Sequence, residues 1–581
     1  MNISPLSNTN SPSSPNSSPR RMEGRAWHRR VHGLNVLSLH GSFHEMGRQH
    51  GALLADEVRR GPIPYYRQFV EKIMGGSSYG PVGPLGLALL QRTVGARVAR
   101  EIPPFALDTI RGLAEGAGLP YDQVLQGCTM PDTLLWLASR MMQVKRLPPA
   151  VRHRLALGLG CSSAIAWGGA TKDGMLLHAR NLDYHGVSCW PSNAAVIFHT
   201  PDEGLRYVSC SAAGVALGGF TAMNEAGLTL TVHQHMFTEE TRLGGTPIGI
   251  VGDIVMREAR TLEQAEAILA KHRPIGCWTY LIADGHRREV LCWEENPDRH
   301  VARRVPTDAE TFGYANIYLD PELGETEIDL YPTYWRHNLG RQQRVNTLLR
   351  DGHGRLDAAG MAAILGDIGD ERCRLRDSIA MVLTVGSVVF RPEDGTVWLG
   401  TGEAPTSHGR FEPFSLRTMD HAPEAGSFCP GDAIDAKSRD AFEHYRRAYM
   451  AYVDRDDVAA ARGEMALACH TAPKQSAYHA VAGLMALQDG DARDAVRLFD
   501  TAAGLDHPDE ERRSAFQLWR GRALDVDGRR KEAVQAYRAA LSGKADAGVS
   551  EAARKGVRKP YRAVEARRLH IEMSLGDVMA P

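Results

Sequence analysis

No stretch of 18 apolar residues occurs in the 581-residue chain, so a membrane-spanning helix is not expected. The nine cysteines, Cys128, Cys161, Cys189, Cys210, Cys277, Cys292, Cys373, Cys429 and Cys469, are odd in number and never form a C-x-x-C pair. That argues against a disulfide framework or a structural zinc knuckle and fits reduced thiols in a cytosol. An excess of one charge is missing too. The 68 Lys and Arg against 69 Asp and Glu leave a formal net charge of −1, which gives no general attraction to nucleic acid or an anionic membrane. No G-x-x-x-x-G-K-[ST] motif supports a nucleotide site. The opening "MNISPLSNTNSPSSPNSSPR" has no apolar core, so it does not read as a secretory signal, and its composition cannot offset the entropy of ordering. The expectation is a cytoplasmic protein with a disordered segment over 1–22 and no cofactor.

What is present is globular composition, 43% hydrophobic and 24% charged, in a chain long enough for two to four domains. Residues 41 to 60 open with Ser42-x-x-Glu45, a capping box, and place Phe43, Met46, His50, Leu53, Leu54 and Val58 on one helical face. Gly47 and Gly51, four apart on that helix, suggest close packing against another helix. Residues 104 to 119 read as a second helix stopped by Gly118, and the chain up to about residue 150 is expected to be mainly helical.

From Cys161 onward the texture changes to short β-rich runs: "SSAIAW", "MLLHAR", "AAVIFHT", "GLTLTVHQH", "CWTYLIAD", "REVLCWE", "IAMVLTVGSVVFRP" and "TVWLGTG". Asp173-Gly174, Asp284-Gly285 and Asp394-Gly395 punctuate them as hairpin turns, with helical stretches at 246 to 272 and 334 to 365. This is α+β layering rather than strict βαβ alternation. After a linker at 421–437, helices over 438–547 repeat: Ala461, Ala495 and Ala533 head matching segments, and Gly483 and Gly521 keep register with Phe499 and Tyr537. The pattern resembles tetratricopeptide repeats, although a plain helical bundle also yields small/aromatic periodicity. A basic helix or tail over 548–581, with "EAARKGVRKPYRAVEARRLH", reads as a solvated face before a contact for an acidic partner.

The chemistry is expected around Cys161. With Asp173-Gly174 as a two-residue loop, Trp167 would pair with Arg180 and Ala164 with Asp183, leaving Asp183 about 10 Å along the strand from Cys161. A bulge at Gly168-Gly169 would slide the return strand closer. A nearby arginine would then lower the thiol's pKa toward the nucleophilic thiolate. A cysteine that begins a strand is also what a buried small hydrophobe gives, and Arg-x-x-Asp is often a structural ion pair.

The run "GCSSAIAWGGATKDGMLLHARNLD" resembles the nucleophile hairpin of N-terminal-nucleophile hydrolases, in particular the acyl-coenzyme A:isopenicillin N acyltransferase-like group, with bile salt hydrolases and acid ceramidase as relatives. "GSFHEMGRQHGALL" and "IRGLAEGAGL" resemble that group's pro-segment, "AMNEAGLTLT" its Asn-Glu-x-Gly-Leu element, and "GYANIYLDPE" its oxyanion-asparagine strand. The resemblance spans about residues 33 to 415. It implies a four-layer αββα fold over 161–420, preceded by a helical pro-segment over 23–160 that is released by self-cleavage between Gly160 and Cys161. It further implies an enzyme that cleaves or exchanges the acyl group of a small linear amide through a Cys161 thioester. The freed α-amine, a group whose usual pKa is about 7.7–8.0, would serve as base.

By the same resemblance, Arg180 and Asp183 polarise the thiol and hold the amine, and Asn316 binds the oxyanion with a backbone N–H near Gln234. Asn224 and Arg341 would contact substrate. For the arginine, Arg336 and Arg344 compete for the role, and Asn338 stands where relatives often have serine.

His233 and His235 share a strand face and could hold a metal, but no third ligand is spaced for one, so lining the acyl pocket or packing is preferred. A Cys-His-Asn arrangement through His178 or His185 is the other alternative, with His178 expected to be structural. The competing functional class is a degenerate fold serving as an interaction platform, with the repeats binding a peptide, another protein or the chain's own catalytic domain.

Overall fold

A computed structural model describes residues 17–65, 67–68, 82–143, 160–235, 240–327, 332–369, 377–505 and 507–574. The first sheet has ten strands: β1 (Arg21–Glu23), β2 (Ala26–Val31), β3 (Leu34–Gly41), β6 (Ala194–Pro201), β7 (Tyr207–Ala212), β8 (Thr221–Asn224), β9 (Leu228–Gln234), β10 (Trp278–Asp284), β11 (Glu289–Glu295) and β12 (His300–Val305), neighbours in that order. The second has seven, in the order β13 (Thr311–Tyr314), β4 (Gly160–Ala166), β5 (Leu177–Asp183), β14 (Thr384–Arg391), β15 (Thr396–Gly400), β16 (Phe411–Ser415) and β17 (Asp420–His421). The β3–β6 pair is parallel, and the chain between those two strands carries helices and the β4–β5 hairpin. A parallel neighbour requires such a long crossover.

The sheets bury apolar faces against each other. Val36, Val196, Phe198 and Val208 of the first share a core with Val388, Phe390, Val397 and Phe414 of the second. Helices cover the opposite faces. Ile110 and Leu113 pack on Leu37 and Ile197, while Val345, Leu349 and Met361 pack on Ala164, Leu177 and Val389.

The Phe43–Leu53 helix starts at the Ser42 capping box, with Ser42 accepting from the Glu45 N–H and Glu45 accepting in return. The Pro104–Ala117 helix ends at Gly118 in the left-handed conformation. These two helices cross at backbone contact. A Cβ on Gly47 would lie 2.2 Å from the Thr109 carbonyl oxygen, and one on Gly112 would lie 2.0 Å from that of His44. Glycines on both helices are therefore what lets the crossing close.

Three expectations change. Residues 1–16 lie outside the described residues, but Ser17 bridges Val31 and Arg21–Glu23 pairs with β2, so 17–22 is placed by backbone pairing rather than by apolar burial. The segment 23–160 begins with two full strands, β2 and β3, before its helices. The helical stretches at 246 to 272 and 334 to 365 are each broken in two: Ile250–Glu258 and Leu262–Leu269, capped anew by Thr261, and Pro332–Asp351 and Ala358–Leu365, capped anew by Asp357.

Between residues 436 and 558 the described chain is mainly helical: Ala436–Tyr449, Val458–Thr471, Ser476–Asp489, Ala492–Gly504, Glu510–Val526, Arg530–Ser542 and Ala547–Arg558. Gly483 sits against the Phe499 ring and Gly521 against the Tyr537 ring, so one small–aromatic contact recurs in successive helix pairs. This region is joined to the rest by a common core in which Phe442, Tyr445 and Tyr449 meet Val382, Leu383 and Val385.

Candidate active site

Cys161 lies on β4, beside β5, in the register Gly160↔Asp183, Cys161↔Leu182 and Ser163↔Arg180. The two-residue hairpin at Asp173-Gly174 does not form. Gly168–Ala170 makes a 3-10 turn, Trp167 N–H donates to the Glu310 carbonyl, and Lys172 N–H donates to that of Leu356. These tertiary partners take the loop residues out of the ladder, which starts only at Ala166↔Leu177. The return strand is thereby moved toward the cysteine, and Asp183 stands across from Gly160.

Arg180 and Cys161 then meet: Arg180 Nη2 is 3.3 Å from Cys161 Sγ. The guanidinium is fixed by the Val232 carbonyl at 2.8 Å and by Thr221 Oγ1. Asp183 accepts from Thr384 Oγ1 at 2.5 Å through Oδ1, while its Oδ2 accepts no hydrogen bond among the described residues. That oxygen lies beside the Gly160–Cys161 link, 3.1 Å from where a Cβ on Gly160 would stand.

Arg341 has a fully buried side chain and closes the far side. Its Nη1 donates to the Cys161 carbonyl and to Ser162 Oγ, both at 2.9 Å. Its Nη2 donates to Asn338 Oδ1 at 2.8 Å and Asn316 Oδ1 at 3.2 Å, and Asp183 Oδ2 is 4.0 Å from Nη1. Among its rivals, Arg344 pairs with Asp367 at 2.6 Å, and the Arg336 side chain lies outside the described residues. Asn338 donates to the Asn316 carbonyl at 3.1 Å.

Asn316 follows β13 instead of lying in a strand, because its φ of 46° is left-handed, a strained state for a residue with a side chain. Its Oδ1 accepts the Cys161 backbone N–H at 2.5 Å and its amide donates to the Gln234 carbonyl at 2.8 Å. An amide nitrogen carries two hydrogens, so one of them is spent there. His235 N–H donates to the Cys277 carbonyl, which sets the hydrogen-bonded pairs of the β9–β10 ladder. The alternation leaves Gln234 with its own N–H and C=O turned away from β10, toward Cys161 and Asn316.

Electrostatically, burial decides. It pushes the Cys161 thiol above its usual range, Arg180 pulling it back and Asp183 adding to the rise. The expectation of a lowered thiol pKa is thus corrected: desolvation outweighs the adjacent cation. Burial likewise raises Asp183, opposed by Arg341 and the Thr384 hydrogen bond.

Gly160, Cys161, Arg180, Asp183, Gln234 and Asn316 line a cavity of about 190 Å³, and Arg341, expected to contact substrate, is not part of that lining. The cavity walls are apolar, among them Ile63, Ile110, Leu182, Trp190, Phe220 and Trp278, and Arg180 and Asp183 are the charged residues in the lining. Pro62, Ile63, Ile102, Ile110 and Pro131 come from the segment ahead of Cys161, so that segment supplies part of the wall.

Other candidates are placed elsewhere. Asn224 uses its full hydrogen-bonding capacity, donating to the Met256 and Ala259 carbonyls and accepting from Ala226 and Leu228, so it anchors the β8–β9 turn and is not part of the cavity lining. His233 bonds Ser163 Oγ at 2.9 Å, and His235 bonds Glu327 and Thr279, both at 2.8 Å; neither lines the cavity. No group of three His, Cys, Asp or Glu suited to a metal occurs among the described residues. His178 is held by Thr229 and Thr231, and His185 by Tyr449. Thr221, Thr384 and Ser162, which hold Arg180, Asp183 and Arg341, carry no motif of their own, and only Ser162 is near the cysteine in sequence.

Among the described residues no helix is long and apolar enough to cross a membrane. An uncharacterized protein of Archaeoglobus fulgidus is 26% identical in an alignment of 351 positions that covers 56% of this chain and 56% of that relative's own length. Among solved structures, a Caenorhabditis elegans N-acylethanolamine-hydrolyzing acid amidase ortholog aligns at 15% identity over 40% of this chain and 93% of its own, with a TM-score of 0.28. The N-terminal domain of stress-induced protein-1 from C. elegans aligns at 16% identity over 22% of this chain and 100% of its own, with a TM-score of 0.20. Both TM-scores are too low to bear on the fold. Residues 170–404, a stretch that holds Arg180, Asp183, Asn316 and Arg341 and begins just after Cys161, match the family described as acyl-coenzyme A:6-aminopenicillanic acid acyl-transferase.

Proposed function

We propose that the chain is a self-processing cysteine amidohydrolase or acyltransferase that works through a thioester on Cys161. One observation carries this reading: Arg180 reaches Cys161 Sγ at 3.3 Å in the lining of an apolar cavity. The family match over 170–404 supports it. Two sheets packed together under helices are read as the αββα layering of N-terminal-nucleophile hydrolases, and the C-terminal helices as tetratricopeptide-like.

In processing, Sγ gives up its proton and adds to the Gly160 carbonyl carbon. The C–N bond to Cys161 breaks, the nitrogen takes up a proton and leaves as the amine, and the glycyl group is held as a thioester. Water then splits the thioester into a Gly160 carboxylate and a free thiol. The new α-amine stays beside Asn316 Oδ1, with Asp183 Oδ2 close by to hold it when protonated. A buried, protonated thiol needs a base, and this amine, with an ordinary pKa of about 7.7–8.0, supplies one near neutrality.

In turnover the amine takes the Sγ proton, Sγ adds to the substrate's acyl carbon, and the oxyanion is met by the second Asn316 amide hydrogen and the Gln234 N–H. Loss of one such donor typically costs about 3 kcal/mol. The leaving amine departs with the proton, and water or another amine takes the acyl group from sulfur. The apolar lining fits a hydrocarbon or aromatic acyl group.

The test is an acid-quenched incubation with N-acyl amides from acetyl to dodecanoyl, read by mass spectrometry. The reading expects an acyl adduct on Cys161 of wild type and none on Cys161→Ala. Amide turnover by Cys161→Ala would contradict it.

A further inference from the structure

Two walls of the cavity are tied to a single point of the C-terminal helical region. Pro62 and Ile63 form one wall, and two residues on, Tyr65 donates to Asp454 Oδ1 at 2.8 Å. Tyr184 and Trp190, with rings 5.7 Å apart, form another, and between them His185 Nδ1 bonds the Tyr449 hydroxyl at 3.1 Å. The walls also touch each other. Gly186 has φ 105°, and a Cβ there would stand 3.2 Å from the Tyr65 ring, so this loop lies with bare backbone on that ring.

The anchor is itself unusual. The Ala436–Tyr449 helix runs on as a π-helical turn over Met450–Asp454. In an α-helix, residues five apart point about 140° away from each other. A π turn, with its i→i+5 hydrogen bonds, brings them together, and such turns cluster at functional sites. The turn therefore lets Tyr449 and Asp454 both face the cavity walls. Behind the second wall, Leu182, Tyr184 and Trp190 pack against the core that holds Tyr445 and Tyr449.

We infer that the C-terminal helices act on the chain's own active site: Tyr65, His185, Tyr449 and Asp454 are positioning residues that set the depth of the acyl cavity and so its selectivity for long acyl chains. This rests on the reading of the cavity as the acyl site.

The test uses the full-length Cys161→Ala chain, which cannot form a thioester, and titrates octanamide and butanamide calorimetrically. Tyr65→Phe and Asp454→Ala are expected to raise the octanamide Kd about fivefold, the scale of one net hydrogen bond, and the butanamide Kd less than twofold. The double variant should lose less than the sum of the two single losses, because the two residues share a bond. Asp454→Asn, which keeps an acceptor, should restore wild-type binding. An octanamide Kd unchanged in both single variants overturns the inference, as does an equal loss for both amides with a lowered unfolding temperature. Octanamide binding that responds to Tyr65 and Asp454 in a chain that turns over no amide would refute the proposed reaction and leave this wall contact standing.

Discussion

Arg341 donates to the carbonyl oxygen of Cys161 from a position 180 residues away in sequence, and the same guanidinium spans Ser162, Asn316 and Asn338. A planar fork makes these four contacts; a lysine ammonium offers one point charge. Arg341→Lys is expected to slow self-cleavage by at least about 100-fold, roughly 2.7 kcal/mol at one tenfold step per 1.36 kcal/mol. Arg344→Lys should leave it unchanged, because that residue pairs with Asp367 instead. A gel time course of both variants checks this, and equal effects would remove the special place of Arg341.

Arg180 opposes the burial that raises the Cys161 thiol. Arg180→Met should push the thiol higher still. A higher thiol pKa leaves less thiolate, so alkylation of Cys161 by iodoacetamide at about pH 7.5 should slow. An unchanged rate, with the fold confirmed by its melting temperature, would show that the guanidinium does not act on the sulfur.

Gly160 is confined as well as positioned. A Cβ there would meet Asp183 Oδ2 at 3.1 Å, Met381 Sδ at 3.3 Å and Arg341 Nη2 at 3.4 Å. Gly160→Ala should cleave slowly and Gly160→Val not at all over the time in which wild type is complete. Cleavage of the valine variant at the wild-type rate would show that the carbonyl is approached from elsewhere.

Asp132, in the segment ahead of Cys161, accepts the Ile248 N–H at 3.1 Å, and burial raises its carboxyl to about 7. Its folded pKa is above the unfolded one, so the folded state binds the extra proton. The cost is absent below about pH 4, grows from there to pH 7 and is complete above. Asp132→Asn keeps an acceptor for Ile248 and removes the cost. In the Cys161→Ala background its stabilisation should be larger at pH 8 than at pH 5, by roughly 2–3 kcal/mol. Urea midpoints at the two pH values decide it; an equal gain at both would contradict the assignment.

Local signals were readable from sequence alone. The Ser42 capping box, the Gly118 stop and the apolar runs that became β6, β9, β10 and β11 depend on neighbours a few residues away. Register was not. Asp173-Gly174 is good hairpin chemistry, but Glu310 and Leu356, far along the chain, claim the backbone of residues 167 to 172. Strands β7, β8 and β12 carry no clear apolar run of their own and hold their places through partners in the sheet. Within the site, Cys161, Arg180, Asp183, Asn316 and Arg341 were named from a resemblance and are brought together by the fold. Asn224 was named the same way and is held in a turn instead. The sign of the thiol shift needed burial, which no motif encodes.

The account stands on scission of the bond between Gly160 and Cys161. Its most direct test is intact mass with N-terminal sequencing of purified protein, wild type beside Cys161→Ala. The account predicts a wild-type fragment that begins at Cys161 and a Cys161→Ala chain with no such terminus. Wild-type protein that stays joined at residue 160 while it hydrolyses an amide would contradict it.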